Sequence, residues 1–180
     1  MSTAPSPSIT PEFAAAYCQI MCQGLQNEFA TTKKVLAAIP DARRDYRPDP
    51  KARTAWELAW HIAKEDVLFL GQIAEGKFVM PDPRFDKETP NTIAELVAWY
   101  DKNFRRALER VRAMTPAQLA TPINFVGLFN LPAVFYLGFM NNHSIHHRGQ
   151  LAAYLRPMGS KVPSIYGGSA DEPFEMPATA

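Results

Sequence analysis

Apolar residues recur at helical spacing in four long stretches of this chain, and prolines separate the stretches from one another. A spacing of three or four residues between apolar positions is typical of an amphipathic helix. The first stretch predicts a helix from about residue 11 to residue 39, with Thr10 as its N-cap and Pro11 in its first turn. Its apolar stripe is predicted to contain Phe13, Tyr17, Ile20, Met21, Leu25, Val35 and Leu36.

The second and third helices begin with the same signal. Thr54 and Glu57 have the spacing of a capping box, and so do Thr92 and Glu95. In such a box each side chain satisfies a backbone N–H group that the start of a helix leaves free. The second helix is predicted to end at Gly76, because glycine readily adopts the left-handed backbone of a C-terminal cap.

The connections and the last helix complete the predicted fold. Residues 77–91 contain three prolines and are expected to form a long crossover loop, and residues 120–130 are expected to form an irregular connection. The fourth helix should begin near Asn130, with Pro132 in its first turn, and end near Arg156. No stretch shows convincing strand alternation. Four long helices with proline-rich connections predict an all-α, up-down four-helix bundle.

The length of the chain indicates one domain. A chain of 180 residues can bury a single core of ordinary size. We expect residues 1–10 to be a flexible N-terminus and residues 11–180 to form one helical-bundle domain. The prolines and glycines after about residue 157 predict an extended tail at the end of that domain.

Composition narrows the classes of partner. The net charge is +1 and the basic residues are spread along the chain, so no electrostatic case exists for nucleic acid or an anionic membrane surface. No stretch approaches the roughly 18 apolar residues of a membrane span, and the first residues lack the features of a secretion signal. The two cysteines, Cys18 and Cys22, are expected to be free thiols. We therefore expect a cytoplasmic protein.

The histidines are the strongest chemical lead. Three of the four, His143, His146 and His147, fall within five residues. His143 and His147 are four positions apart, which is about 40° around a helix, so both rings can point at one ion. They share a stripe that is predicted to face the interior of the bundle. The other members of that stripe are Tyr136, Met140, Leu151 and Tyr154.

A third ligand would come from His61, midway along the second predicted helix. Neutral imidazoles bind zinc, nickel and related ions, and three protein ligands with one open position are typical of a reactive metal site. The alternative is that these histidines are hydrogen-bonded core residues. His146 points about 100° away from His147 and is expected to be structural, and an exchange of ligand role with His143 is the competing assignment.

Two segments of the chain resemble the DinB-like superfamily. The first is NHSIHHRGQL at residues 142–151, and the second is TAWELAWHIA at residues 54–63, which carries one histidine near its middle. The resemblance implies a four-helix bundle with a three-histidine site for zinc, nickel or a similar divalent ion. It implies His61, His143 and His147 as the ligands, because each matches a position of the family.

The resemblance also carries expectations about activity and assembly. Family members often form homodimers. The characterised ones include S-transferases that use low-molecular-weight thiols, and metal-dependent hydrolase or isomerase relatives. For this chain the resemblance therefore implies a small-molecule substrate, with a low-molecular-weight thiol as a candidate partner. Although the family name refers to DNA damage, nothing in this composition supports binding to DNA.

Two acidic residues and two thiols could assist the metal. Glu65 follows His61 by four residues, so it could orient that ligand or act as a general base, and it is our candidate catalytic residue. The alternative for Glu65 is an ordinary charged residue at the edge of a helix. Asp66 is a weaker candidate. Cys18 and Cys22 are interpreted as small buried residues, with a redox or ligand role as the alternative.

The last helix and the tail carry three further features. Arg148 is expected to form a structural salt bridge, with contact to an anionic substrate as the alternative. Gly149 is expected to permit close packing of helices. Residues 166–171 could fold over the site as a lid.

Together these features predict a metal-dependent enzyme that activates a bound water or thiol, with transferase-type or hydrolase-type chemistry. The alternative is a non-catalytic, dimeric module that binds metal or serves a stress-related interaction. A fourth protein ligand, such as Glu65 or Cys18, would favour the alternative, because closed structural sites usually have four protein ligands.

Overall fold

A computed structural model describes residues 7–80 and 89–174 of the chain. Residues 1–6, 81–88 and 175–180 lie outside this description. Most of the predicted flexible N-terminus, the middle of the predicted crossover loop and the end of the predicted tail fall in those segments. No helix among the residues described combines the length and the apolarity that a membrane crossing requires.

Four long α-helices form the body of the fold. They are α1 (Pro11–Ala37), α2 (Ala55–Glu75), α3 (Ile93–Arg112) and α5 (Phe135–Leu155), and a short helix, α4 (Pro116–Ala120), lies between the last two. The predicted four-helix bundle is confirmed. One short 3₁₀ turn follows α1 and another follows α5, at Asp41–Arg43 and Arg156–Met158.

The helix starts follow the local sequence signals. The Thr10 hydroxyl accepts a hydrogen bond from the Phe13 N–H at 3.2 Å and caps α1. At the start of α2, the Thr54 hydroxyl accepts from the Glu57 N–H at 3.1 Å, and the Glu57 carboxylate accepts from the Thr54 N–H at 2.7 Å. This pair is the predicted capping box. Gly76 ends α2 with a φ angle of 70°, as predicted.

α3 begins at the predicted N-cap, and one of the two predicted capping hydrogen bonds has a different partner. The Thr92 hydroxyl accepts from the Glu95 N–H at 3.1 Å, so Thr92 is the N-cap. The Glu95 carboxylate, however, accepts from the N–H of Asn91 at 2.8 Å rather than from that of Thr92. The reciprocal half of the predicted capping box is therefore wrong, because the carboxylate reaches one residue further back.

The helices are arranged with α1 and α2 at opposite corners of the bundle. α2 packs against α3 and α5, and α1 packs against the same two helices. Residues 38–54 cross between the opposite corners, whereas the long connection predicted at residues 77–91 joins the neighbouring helices α2 and α3. The arrangement places α2 and α5, which carry all four histidines, side by side.

The buried face of α1 differs from its predicted apolar stripe. Phe13 and Ile20 belong to that stripe but are 50% and 70% exposed. Small residues occupy the interior in their place, because α1 packs closely against its neighbours at this end. The apolar residues of α1 that are buried are Ala14, Cys18, Cys22, Leu25, Phe29, Val35 and Leu36.

Between α4 and α5 the chain forms a two-stranded antiparallel hairpin, β1 (Pro122–Phe125) and β2 (Phe129–Pro132). The prediction of an irregular connection without strands is therefore wrong here. The predicted start of the last helix near Asn130 is also wrong, because Pro132 belongs to β2 and α5 begins at Phe135.

The hairpin is closed by its turn and held by α5. Val126 and Gly127 both have positive φ angles, 46° and 82°, and the Leu128 N–H donates to the Phe125 carbonyl at 2.8 Å, which closes a three-residue loop between the paired Phe125 and Phe129. The Tyr136 hydroxyl, near the start of α5, donates to the Ile123 carbonyl at 2.7 Å and accepts from the Leu131 N–H at 3.3 Å. One buried hydroxyl thus joins both strands to the helix that carries three histidines.

The close approach of α5 to another helix occurs at Gly138 and not at Gly149. A Cβ atom at Gly138 would lie 3.4 Å from the Tyr17 hydroxyl of α1. Gly149 is exposed, and no neighbouring side chain or loop atom of the described residues would lie within 4 Å of a Cβ atom there. The predicted close packing at Gly149 is therefore wrong.

A buried carboxylate joins three helices in the core. Asp66 of α2 is 1% exposed, and its Oδ2 accepts hydrogen bonds from the Tyr100 hydroxyl of α3 at 2.6 Å and the Ser144 hydroxyl of α5 at 3.0 Å. Burial raises the pKa of Asp66 to about 7, although both hydrogen bonds act to lower it. Because a buried carboxylate is costly unless it is paired, this network constrains the relative position of α2, α3 and α5.

We expect Tyr100→Phe to lower the free energy of unfolding by about 1–3 kcal/mol at neutral pH, because it removes a donor from the buried Asp66 carboxylate. Tyr154→Phe is the matched control, since Tyr154 is half-buried and contacts Tyr46 through its ring, which phenylalanine preserves. Urea unfolding followed by circular dichroism measures both variants. Equal losses in the two variants would contradict a stabilising role for the Asp66 network.

Candidate metal centre

Three histidines meet at the interface of α2 and α5. His61 lies in the first half of α2, and His143 and His147 lie one helical turn apart on α5. All three side chains are half-buried at the rim of the bundle, rather than in the interior that the predicted stripe of α5 indicated. Tyr136, Met140 and Leu151 of that stripe are buried as expected. The two helices therefore bring together all three predicted ligands.

Each of the three rings points its Nε2 atom at the same position. His61 Nε2 lies 3.1 Å from His143 Nε2 and 3.3 Å from His147 Nε2. A zinc ion with nitrogen ligands at about 2.0–2.1 Å in tetrahedral geometry requires ligand separations of about 3.3 Å. Two of the three separations match this requirement, and the ligand atoms of all three histidines lie within 4.8 Å of one another, so the three imidazoles could hold one ion.

The protonation of the rings also fits a cation. His147 Nδ1 lies 2.7 Å from Gln150 Oε1. An amide oxygen only accepts hydrogen bonds, so Nδ1 of His147 carries the proton and its Nε2 presents a lone pair to the centre. A proton on His61 Nε2 could be donated to only one of the two facing nitrogens. A divalent cation would satisfy all three nitrogens at once.

Burial keeps these imidazoles neutral. It lowers the pKa of His61 to about 3 and that of His143 to about 4, and it lowers the pKa of His147 against the opposing effect of Gln150. The positive charge of Arg53 acts in the same direction on all three. Neutral imidazole is the form that binds a metal, so the free site at neutral pH has its lone pairs available.

Glu65 lies on the far side of the His61 ring from the converging nitrogens. Its Oε1 is 3.8 Å from His61 Nδ1, and burial raises the pKa of its carboxyl group. A carboxylate beside the second nitrogen of a metal-binding imidazole is the arrangement that orients such a ligand. Of the two roles expected for Glu65, this position favours orientation of His61, and the role of general base stays a prediction.

The remaining histidine and the thiols lie outside this cluster. His146 is exposed, and its ring contacts His147 with a centroid distance of 4.9 Å. In the described ranges 7–80 and 89–174, the group of His, Cys, Asp and Glu side chains that could share an ion contains only the three histidines. Neither Glu65 nor Cys18 belongs to that group, so within those ranges a fourth coordination position stays open.

Two features beside the centre were not predicted from the sequence. Phe69 lies beside His143 with a ring-centroid distance of 6.3 Å, and it contacts Phe139 at 5.6 Å, so aromatic rings border the site on one side. Arg53, in the loop before α2, adds positive charge. Helical periodicity marks aromatic residues as core, and it contains no signal for a loop arginine that reaches a neighbouring site.

Arg148 forms the structural salt bridge that the sequence predicted. It is 1% exposed, and its Nη1 lies 2.6 Å from the Glu28 carboxylate and 3.2 Å from the Thr32 hydroxyl of α1. Its Nη2 donates to the Tyr166 hydroxyl at 2.5 Å, and Tyr166 in turn donates to Glu28 at 2.8 Å. The tail residue Tyr166 thus covers this ion pair, and a lid over the histidines stays a prediction.

Comparison with known proteins agrees with the fold. The profile of the DinB superfamily matches residues 25–151, a range that contains all three converging histidines. YrdA, an uncharacterized protein of Bacillus subtilis (strain 168), is 26% identical over 147 residues, which cover 81% of this chain and 85% of YrdA.

Solved structures share the bundle. A DinB-like protein from Bacillus cereus ATCC 10987 has a TM-score of 0.69 at 26% identity, over 81% of this chain and 95% of that protein. YfiT from Bacillus subtilis, described as a probable metal-dependent hydrolase with an unusual four-helix bundle topology, has a TM-score of 0.62 over 89% of this chain and 95% of YfiT. At 17% identity, the likeness to YfiT shows the fold alone. Since the family profile matches more than half of its length, the chain belongs to the DinB superfamily.

Proposed function

We propose that this chain is a metal-dependent enzyme that acts on a small molecule, with His61, His143 and His147 as ligands of one divalent ion, most suitably zinc or nickel. The observation that carries the proposal is the convergence of three Nε2 atoms at 3.1 and 3.3 Å. Three imidazoles and an open position are the ligand set of catalytic zinc sites, whereas structural sites use four protein ligands.

The residues around the site have distinct tasks in this proposal. When bound, a divalent ion with three neutral imidazole ligands lowers the pKa of a water or thiol at its open position. Gln150 holds the His147 ring in the tautomer that leaves Nε2 free. Glu65, whose Oε1 lies 3.8 Å from His61 Nδ1, orients the His61 ring, and it is our candidate for the general base. Phe69 and Phe139 limit the access of water on one side.

Hydrolysis is the reaction that we favour. YfiT, which shares the fold, is described as a probable metal-dependent hydrolase, and this supports the same class of chemistry here. Transfer of a low-molecular-weight thiol is the second candidate, because the same three-histidine site would activate a thiol as readily as a water. In both reactions Arg53 supplies positive charge that favours a substrate with an anionic group.

A non-catalytic, dimeric metal-binding module is the alternative, and a stress-related interaction module is its close variant. The open coordination position argues against a purely structural ion. Homodimer formation, which family membership suggests, is a separate proposal. Sedimentation of the native chain at several concentrations tests it, and it does not depend on the outcome at the metal site.

The ligand assignment predicts metal content. Elemental analysis of the untagged native protein should find about one ion per chain, because a single three-histidine site is formed. His61→Ala, His143→Ala and His147→Ala should each lose the ion, since two imidazoles hold it weakly. His146→Ala is the matched control and should retain it, as His146 is exposed outside the cluster. If only His146→Ala lost the ion, the assignment of His61, His143 and His147 as the ligands would be wrong.

The pKa values predict how the ion responds to acid. Because burial lowers the pKa of His61 to about 3 and that of His143 to about 4, protons compete for these nitrogens only in that range. The ion should remain bound down to about pH 5 and dissociate as the pH falls through about 4. Metal analysis after desalting at each pH measures this, with circular dichroism to monitor the fold. Release near pH 6.5, the value of an ordinary histidine, would contradict the prediction.

Activity is tested with metal-loaded protein on two panels, esters and amides with water as nucleophile, and electrophiles with an added thiol. Glu65→Gln should lower activity or metal affinity by about 10–100-fold, because the carboxylate beside a ligand imidazole is lost. Glu12→Gln is its control, since Glu12 is exposed at the start of α1. Turnover that survives both metal removal and His143→Ala would refute the proposal, and bound metal without turnover in either panel would favour the non-catalytic module.

A further inference from the structure

The two cysteines of the chain form a second cluster of metal-binding atoms, away from the histidines. Cys18 and Cys22 lie one turn apart on α1, and their Sγ atoms are 3.7 Å apart. They are 5% and 3% exposed and both are free thiols. α1 occupies the corner of the bundle opposite α2, so these thiols and His61 belong to opposite helices.

The geometry of the pair is unsuited to a disulfide. Side chains four residues apart on a helix have Cβ atoms about 5–6 Å apart, whereas a disulfide requires a Cβ separation of about 3.5–4.5 Å. Cys18 and Cys22 lie within the long continuous helix α1, so a direct sulfur–sulfur bond would require that helix to distort. At this separation the two thiols hydrogen-bond to each other, and a covalent or coordinate link between the sulfurs would have to pass through an additional atom.

An ion between the sulfurs fits the observed separation. With metal–sulfur bonds of about 2.3 Å and tetrahedral geometry, two thiolate ligands are about 3.8 Å apart. The Sγ atoms of Cys18 and Cys22 are 3.7 Å apart. The helix therefore presents both sulfurs in position for a bent sulfur–ion–sulfur arrangement.

The thiols are reached through a cavity. A space of about 360 Å³ is lined by Cys18 and Cys22 of α1, by Arg112 at the end of α3, and by Met114 and Leu119 from the segment that follows it. The cavity provides room for an ion and for the further ligand or organic group that the ion carries. Both sulfurs thus have access to a small molecule, although each side chain is almost fully buried.

Positive charge beside the pair favours the thiolate form. Arg112 is held in place by its hydrogen bonds to the Glu109 carboxylate at 2.7 Å and the Gln26 side chain at 2.8 Å. The hydrogen bond between the two thiols lowers the pKa of Cys22 and raises that of Cys18. Burial raises the pKa of both thiols, and the charge of Arg112 acts to lower both, so Cys22 is the thiol that loses its proton first. Thiolate is the form in which cysteine binds metal ions.

We propose that Cys18 and Cys22 form a dithiol site for a soft, thiol-binding ion, either a metal ion or a trivalent arsenical, bound through both sulfurs. With a metal ion, each S–H group releases its proton to solvent as two sulfur–metal bonds form. With an arsenical, two sulfur–arsenic bonds replace the bonds of arsenic to oxygen, and that oxygen leaves as water with the two thiol protons. No electron is transferred in either case. Thiolates select soft ions over the hard ions that oxygen ligands prefer. The site is independent of the function proposed for the three histidines.

Cadmium titration of the reduced, full-length chain tests the site. Cd²⁺ bound by thiolates gives an ultraviolet sulfur-to-metal charge-transfer band, which imidazole ligands do not give. We expect a band that saturates at about one Cd²⁺ for the two thiols. Cys18→Ala and Cys22→Ala should each weaken binding on the order of a hundredfold, because the second sulfur no longer binds at high effective concentration.

Two control variants test whether the charge-transfer band comes from the two cysteines. Met114→Leu removes a thioether from the same cavity and should leave the band unchanged, and His143→Ala should also leave it unchanged because the histidines are not involved. The helix content of each variant is checked by circular dichroism. Absence of the band in the native chain, or equal binding by native chain and single cysteine variants, would overturn the proposal.

Phenylarsine oxide tests whether the site binds a trivalent arsenical as well as a metal ion. One molecule should add to the native chain with loss of one water, which is made of the arsenical's oxygen and the two thiol protons, and mass spectrometry detects the product. A band with Cd²⁺ but no such adduct restricts the site to metal ions, and an adduct that is prevented by either cysteine variant extends it to arsenicals. An adduct that survives in both single variants would contradict chelation by the pair.

Discussion

The register between α2 and α5 is the constraint on which the site depends. A shift of one residue along either helix would rotate its side chains by about 100° and separate the three imidazoles. The hydrogen bond between Asp66 of α2 and Ser144 of α5 connects positions close to His61 and His143 in the chain. A polar contact in a dry core tolerates less displacement than apolar packing, because its partners are costly to leave unpaired. The Asp66 network and the three histidines therefore belong to the same interface between α2 and α5, the network in its core and the histidines at its rim.

The parts of the fold that could be predicted are those with a local cause. Caps such as Thr54 with Glu57 involve residues three apart, so their geometry is contained in the sequence. The pair His143 and His147 is likewise a consequence of helical spacing alone. The third histidine was predicted because the chain has only four, and its segment also resembled the DinB family, to which the chain belongs.

The parts that could not be predicted depend on tertiary contacts. The hairpin of β1 and β2 has four-residue strands and a turn that places Val126, a β-branched residue, at a positive φ angle, so neither strand pattern nor turn residues identify it. The spacing from His61 indicated that Glu65 borders a ligand, whereas no sequence signal indicated that Asp66 is fully buried. The exposure of Phe13 similarly reflects which neighbours α1 meets, and periodicity does not contain that information.

The three imidazoles of the candidate centre all belong to long helices, and none belongs to a connection. All four histidines of the chain lie in α2 and α5, so the connections and the tail supply no imidazole to the centre. Connections usually tolerate changes of length and sequence, and such changes here would leave the three imidazoles in place. The helices that carry the histidines and the connections between them can therefore change independently among related proteins. Two homologues with identical histidines need not share a substrate.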